Sequence, residues 1–574
     1  MLRAMMTEPA GENRLAPEPS LKGSVATRWS FWMRLAGSIA TGLFLALAFP
    51  PHEESPAAWM GLVPLLLVIR TTRPAAAAGW SWLSGWVFGL CSLAWLWKLK
   101  DTGGPVWLVG IGWILLAAYA ALYTGVFGYA LAWCFRRVGT MHRGGNLGLM
   151  AVATAVWVGL EYARGTLAGG FPWNALGVSQ YRNLGIIQLA EWGGVPLISG
   201  VIVWFNMAIT LTILRLSEGW KKRERAGWQS ELTAGLAVLL GCWVCGMMRL
   251  TTVRQMMVDW PRIRVAAVQP NIPQLRKWDS DSDRMILDRL RSQTELATLV
   301  EPSLVVWPET TLPGLLTSDP ELQDFVTALT ATNRAVLVGS MEMDAASGDR
   351  RFYNTAFLVG AEGEPVQGYR KQHLVPFGEY VPFFRGARWQ TLLEPLGFYT
   401  CWPGTGPGVM TVPGLEVRLA VLICFEDVFA YLGGRAVRAG AGLLVNLTND
   451  AWFDGTAGAR QHRSHGVFRA VENRVSLLRA ANSGVTCAID PTGAITDELS
   501  GADGDHAVEG FMTASLVIRP ESLPLTHHAR WGDHLPGLAG LAVTGGVFIL
   551  VWGFWKREDW KARPEGAGET KGIV

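Results

Sequence analysis

The sequence predicts a polytopic α-helical membrane domain of about eight spans joined to a large α/β domain. Half of the 574 residues are apolar, only 17 % are charged and 28 are tryptophan, a composition that leans toward a membrane protein. Apolar runs near the ~20 residues that a bilayer core requires fill the first part of the chain and recur once near its end. Between them the apolar runs become short and strand-like, and alternate with amphipathic segments of helical period. A net charge of +3, with no basic cluster interleaved with aromatics, argues against a nucleic-acid binder.

Residues 1–33 are polar and contain no short apolar core ending in a cleavage site, so they read as a cytoplasmic tail. The membrane domain, 34–250, divides into spans at roughly 34–50, 55–70, 75–97, 105–135, 147–164, 190–216 and 231–250. The second is the weakest, because it contains Pro64 and is closely bounded by Glu54 and Arg70. Lys and Arg collect in alternate loops: Arg70 and Arg73, then Arg136, Arg137 and Arg143, then Lys221, Lys222, Arg223 and Arg225. They also mark the tails, at Arg28 and Arg34 and at Lys556 and Arg557. Positive loops stay inside, so both termini are expected in the cytoplasm and residues 251–530 outside. A last span at 535–555 returns the chain to a cytoplasmic tail, 556–574.

One external loop, "EYARGTLAGGFPWNALGVSQYRNLGIIQLAEWGG", is long, rich in Gly and aromatics, and carries Glu161 and Arg164 at helical spacing. It reads either as an interfacial segment with a local ion pair or as the wall of a lipid-facing cavity. Cys91, Cys134, Cys242 and Cys245 lie in apolar runs; the pair in "GCWVCG" falls inside a span and reads as packing. No His/Cys grouping has metal-ligand spacing.

In the α/β domain, "IRVAAVQ" (263–269) and "SLVVWPE" (303–309) read as buried strands with a helix between them. "AVLVGS", "TAFLVG", "VRLAVLICF", "AGLLVNLT", "LLRAANSGVTCAID" and "FMTASLVI" continue the strands. "ELQDFVTALTATN" and "ARQHRSHGVFRAVEN" read as helices. A layered α/β domain places its site at strand ends.

Three strand ends carry reactive groups. Glu309 follows "LVVWP", Lys371 lies in "GYRKQHLVPFGEYVPF" eight residues before Glu379, and Cys424 ends "AVLIC". Singly they read as a cap, a solvated lysine and a packing cysteine. Together they supply a base, a fixed cation and a thiol nucleophile. Cys424 is followed by Phe425 and then by Glu426 and Asp427, acids that disfavour its thiolate. Glu379 or Glu426 is placed to raise the pKa of the base.

"VVWPET", "YRKQHLVPFGEYVPF" and "LICFED" resemble the three signature segments of the nitrilase superfamily, whose members use a Glu–Lys–Cys triad on an αββα sandwich. With the spans on either side, and with "VQPNIPQLRKW", "FYNTAFLVG", "NLTNDAWF" and "GFPWNALGVSQ", nearly the whole chain resembles the apolipoprotein N-acyltransferases. That resemblance implies transfer of a fatty acyl chain from a membrane phospholipid, through a Cys thioester, to the α-amino group of a lipoprotein's diacylglyceryl-cysteine. It implies the bacterial inner membrane and no metal or organic cofactor. Glu309 is then base, Lys371 oxyanion-stabilising cation and Cys424 nucleophile, with Glu379 holding Lys371 and Glu426 orienting the site. Trp278, Phe425 and Trp452 are expected as apolar walls for the chains, and Asn354 as a further substrate-binding residue. Two rivals remain: an anchored amidase using water as acceptor, and a non-catalytic scaffold for lipidated partners. "LEPLGFYTCWPGTG" reads as a surface loop or as a lid.

Overall fold

The structure is a computed structural model that describes residues 30–138, 143–221, 228–330, 334–344, 351–360, 365–382 and 400–561. Most of both expected tails, the basic loop at 222–225 and residues 393–399 of the Gly/Pro-rich loop lie outside the described residues.

Every expected span falls on helix. The first half contains α1 (Phe31–Leu47), α2 (Ala58–Gly61), α3 (Val63–Arg70), α4 (Pro74–Ser92), α5 (Val106–Val138), α6 (Arg143–Thr166), α7 (Leu184–Ile187), α8 (Ala190–Lys221) and α9 (Ser230–Met256). Four of these, α5, α6, α8 and α9, and the C-terminal helix are long and apolar enough to cross a membrane. The expected second span breaks into α2 and α3, because Pro64 begins a new helix rather than continuing one. Backbone freed by such a break must find a partner in an apolar setting. Buried Asn206 of α8 supplies it, accepting from Leu62 N at 3.0 Å and donating to Ala58 O at 3.0 Å.

The α/β domain adds β1 (Arg262–Gln269), α10 (Asp283–Thr298), β2 (Leu304–Val306), α11 (Pro320–Thr330), β3 (Ala335–Asp344), β4 (Arg351–Val359) and β5 (Pro365–Arg370). Its second half contains β6 (Val409–Thr411), β7 (Arg418–Ile423), α12 (Ala430–Arg438), β8 (Leu443–Thr448), α13 (Gly458–Asn473), β9 (Ser476–Ala481), β10 (Cys487–Ile489), β11 (Ile495–Glu498) and β12 (Gly510–Val517). After them come α14 (His527–Trp531) and the C-terminal helix α15 (His534–Lys561). The strands form two six-stranded sheets, ordered β12-β1-β2-β3-β4-β5 and β11-β10-β9-β8-β7-β6.

Period-two alternation decides the layering. Val265, Ala267, Leu304 and Val306 of one sheet meet Leu419, Val421, Leu443 and Val445 of the other between the sheets. Ala266, Val268, Val305 and Val336 point outward onto α10 and α11, through Ile286, Leu290, Phe325 and Val326. Leu422 and Leu444 point outward from the second sheet onto Leu432 of α12 and Phe468 of α13, completing an αββα sandwich. That last layer does not end at the domain. It belongs to the same apolar core as Phe49, Leu62, Trp157, Ile187 and Ile202 of the membrane helices. Only Arg460 of the sixteen residues of α13 is not buried, so the helix is covered on all sides.

Gln461 is the polar joint in this interface. Its Oε1 accepts from the indole N–H groups of Trp95 (3.2 Å) and Trp173 (2.9 Å) and from Asn174 (3.1 Å). Its amide donates to Pro50 O at 2.9 Å and Ser92 O at 3.0 Å.

Candidate active site

The three strand ends converge. After β2, Trp307 N and Thr311 N continue the pairing with β3 at Leu337 O and Gly339 O, both 2.8 Å, so Glu309 leaves the sheet at a fixed point. Thr310 takes φ +41°, and a Cβ on Gly339 would lie 2.2 Å from Pro308 O, so only glycine admits this close return. Lys371 leaves β5 with its N–H bonded to Asn354 O at 2.8 Å and its C=O accepting from Gly404 N at 2.7 Å.

The lysine is buried between two carboxylates: Nζ lies 2.8 Å from Glu379 Oε1 and 3.4 Å from Glu309 Oε1. Burial works against its charge, but Glu379 and Glu309 outweigh it and hold the ammonium well above its usual value. Glu379 Oε2 is itself held by Val375 N at 2.8 Å. Asn354 is buried and bridges the same two acids, donating to Glu309 Oε1 at 2.8 Å and Glu379 Oε1 at 3.1 Å. Its position on β4 therefore makes it a brace of the carboxylates, where the sequence suggested a substrate contact.

Cys424 ends β7 in the left-handed region at φ +52°, a conformation that costs a non-glycine residue about 1–3 kcal/mol and must be held by its surroundings. Asn446 holds it from below, donating to Leu422 O and Cys424 O at 3.1 Å each. His462 Nε2 lies 3.2 Å from Cys424 O. Burial pushes the thiol well above its usual value, with Glu309 adding to the shift; Lys371 and a hydrogen bond from Thr448 act the other way.

The two acids after the cysteine face away from it. Glu426 is fully buried and accepts from Ile423 N (2.7 Å), Gln372 N (2.7 Å), His373 N (3.0 Å) and the Tyr369 hydroxyl (2.9 Å). It ties the end of β5 to the end of β7. Asp427 meets Arg479 at 3.0 Å and His462 Nε2 at 2.8 Å. Asp450 meets the same pair, Arg479 at 2.7 Å and His462 Nδ1 at 3.1 Å. These four side chains form a buried ionic cage under the Cys424 turn that sequence reasoning missed. Arg479, a charge inside the apolar strand "SLLRAA", was the available signal, since a buried charge requires partners.

Phe425 is half-buried and stacks on Trp173 with centroids 6.1 Å apart; Phe429 meets it edge-on at 5.0 Å. Trp173 also lines an apolar cavity in the membrane domain, together with Phe49, Phe88, Phe127, Trp157 and Phe171. Glu161, Arg164 and Asn174 line the same cavity, so the Gly-rich loop is a wall of it. Trp278, in the turn that carries Lys277, and Trp452, in a short helical turn at Asp450–Phe453, are 61 % and 39 % exposed. Glu472, His528 and Asp533 have metal-ligand composition and lie within 4.8 Å of one another. Arg469 already binds Glu472 at 2.7 Å and His528 binds Asp533 at 2.9 Å, so this group reads as ionic packing of α13 against the C-terminal segment.

Residues 41–208 match the family described as apolipoprotein N-acyltransferase N-terminal domain, and 264–515 match carbon-nitrogen hydrolase. An apolipoprotein N-acyltransferase of Geobacter metallireducens is 34 % identical over 466 residues, covering 80 % of this chain and 85 % of the relative. One of Azotobacter vinelandii is 32 % identical, covering 93 % and 97 %. Among solved structures, Saccharomyces cerevisiae Nit3, of the nitrilase superfamily, is 20 % identical with a TM-score of 0.34, over 45 % of this chain and 90 % of that one.

Proposed function

The chain belongs to the apolipoprotein N-acyltransferase family and is a membrane-bound acyltransferase, and we propose that it moves a fatty acyl chain from a phospholipid to the α-amino group of a lipoprotein's diacylglyceryl-cysteine. Glu309 takes the thiol proton of Cys424, whose sulfur attacks the ester carbonyl. Lys371 and a backbone N–H near Cys424 stabilise the oxyanion. The ester C–O bond breaks, Glu309 returns the proton to the departing lysophospholipid, and a thioester remains. The acceptor amine then attacks; Glu309 takes its proton, the C–S bond breaks, and the proton returns to the thiolate as the amide is released.

One observation favours this over an anchored amidase. Trp173, a wall of the membrane-domain cavity, stacks on the residue next to Cys424, which supports a route for an apolar chain from that cavity toward the thiol. Trp278, Phe425 and Trp452 extend that path as contacts for the chains. The arrangement calls for eight spans, with both termini cytoplasmic and the sandwich on the outer face of a bacterial inner membrane, so that Cys424 works at the lipid surface. Mass spectrometry tests the reading directly. Incubation with phospholipid should leave a fatty acyl mass on the peptide holding Cys424, and a lipopeptide should discharge it; active protein without that adduct sinks the thioester route.

A further inference from the structure

Lys277, a second lysine, reaches the site from a segment the mechanism above does not use. It is 4 % exposed, and its Nζ donates to Glu309 O at 2.8 Å. The segment that carries it is pinned over the strand ends by an amide ladder. Asn482 brackets Ile272, accepting from its N–H at 3.1 Å and donating to its C=O at 2.8 Å. Asn482 also donates to Asn449 Oδ1 at 2.9 Å, and Asn449 donates to Gln274 Oε1 at 2.7 Å. Three residues after Gln274, the Lys277 side chain is therefore delivered to one place.

Charge balance gives that place a meaning. Glu309 and Glu379 bring two negative charges to the single ammonium of Lys371. Asp450, the other acid that bears on the thiol, is already paired with Arg479. Without a further cation the reacting cluster carries a surplus negative charge, which opposes formation of a thiolate and an oxyanion in a buried site. Lys277 makes it two cations against two carboxylates. We infer that Lys277 is a positioning residue for Glu309 whose charge also balances the second carboxylate, so that Cys424 can react as a thiolate. Burial lowers the ammonium to about 8, while Glu309 and Cys424 both favour its charged form. The inference rests on Glu309 and Cys424 being base and nucleophile.

The test uses the full-length protein in detergent and iodoacetamide, a small neutral reagent that reads thiolate without any lipid. Alkylation of the Cys424 peptide is followed by mass spectrometry against pH for wild type, Lys277→Gln and Lys277→Arg. Glutamine keeps a donor for Glu309 O and removes the charge; arginine keeps both. Lys277→Gln is expected to slow alkylation at neutral pH about tenfold and to move its alkaline rise up by about one pH unit. Lys277→Arg should stay within about threefold of wild type. A Lys277→Gln profile superimposed on wild type overturns the inference, and so does Lys277→Arg as slow as glutamine. If the glutamine variant does not fold, the arginine variant carries the test alone, since its profile must follow the wild type's. A shifted profile in a protein that takes no acyl group from phospholipid refutes the acyl-transfer reading and leaves the role of Lys277 standing.

Discussion

Two buried charged groups flank the nucleophile turn, and they differ in what they touch. Above it, Glu309 and Lys371 act on the thiol of the proposed nucleophile, with Glu379 on Lys371 and Lys277 on Glu309. Below it, Asp427, His462, Asp450 and Arg479 close on one another; His462 meets the Cys424 backbone carbonyl, and Asp450 also bears on the thiol through its charge. Both groups combine acids with bases out of water. Only the upper one is placed to change charge during a reaction; the lower one holds a left-handed residue that its own backbone does not favour. Composition alone therefore does not separate catalytic charge from structural charge. We place the distinction in whether a group exchanges a proton with the thiol, or balances the charge of one that does, or holds the turn that presents it.

That contrast can be broken by substitution. Cys424→Ala should reduce acyl transfer by about 10⁴-fold or more with melting unchanged, measured as amide formed on a lipopeptide. Glu309→Gln should cost about 10²–10⁴-fold in rate with the fold intact. Arg479→Met strands two buried acids and should cost about 3–5 kcal/mol of stability, seen in denaturant melts as loss of protein rather than of turnover per folded molecule. If Arg479→Met melted like wild type yet lost turnover, the lower group would be catalytic after all.

The cage also predicts a pH window. Burial raises the Asp450 carboxyl, but Arg479 and His462 outweigh it and hold it below its usual range. Its contribution is then present above about pH 4 and is lost as pH falls through the lower folded value. For His462, burial and Arg479 lower the value, yet Asp427 and Asp450 prevail and raise it. That contribution is full below about pH 6.5 and fades as pH rises through the higher folded value. Melts across pH should show both limbs, and Asp450→Asn should flatten the acid one. Glu426→Gln is the mildest change, about 1–3 kcal/mol of stability, because it weakens a shared acceptor without stranding a charge.

Much of this was legible in the sequence. The helical spans follow from runs of apolar residues, and the break at Pro64 follows from its ring. Glu309 and Cys424 stood out because each comes at the end of an apolar strand, where a layered fold places its site, and Lys371 because it lies in "GYRKQHLVPFGEYVPF" eight residues before Glu379. Lys277 did not, since a lysine between Arg276 and Trp278 looks solvated until a ladder from Asn449 and Asn482, far along the chain, buries it. The bracing contacts of Asn354 were hidden for a related reason: what its side chain faces depends on two carboxylates delivered by other strand ends. Glu426 and Asp427 looked hostile to the thiol from their nearness in sequence, but Glu426 turns onto backbone N–H groups and Asp427 onto Arg479 and His462. At φ +52° the chain reverses and carries both away.

The helix α13, buried at every residue but Arg460, has a practical meaning for anyone wishing to handle the enzyme without its lipid environment. A freestanding sandwich presents its outer helices to water, but here one outer face is upholstery for the membrane helices. Expressing residues from Arg262 onward alone would bare Phe468, Val471 and Gln461, a surface that invites aggregation. A soluble version would require that face to be rewritten for water, and the rewriting would begin one residue from His462, at Gln461.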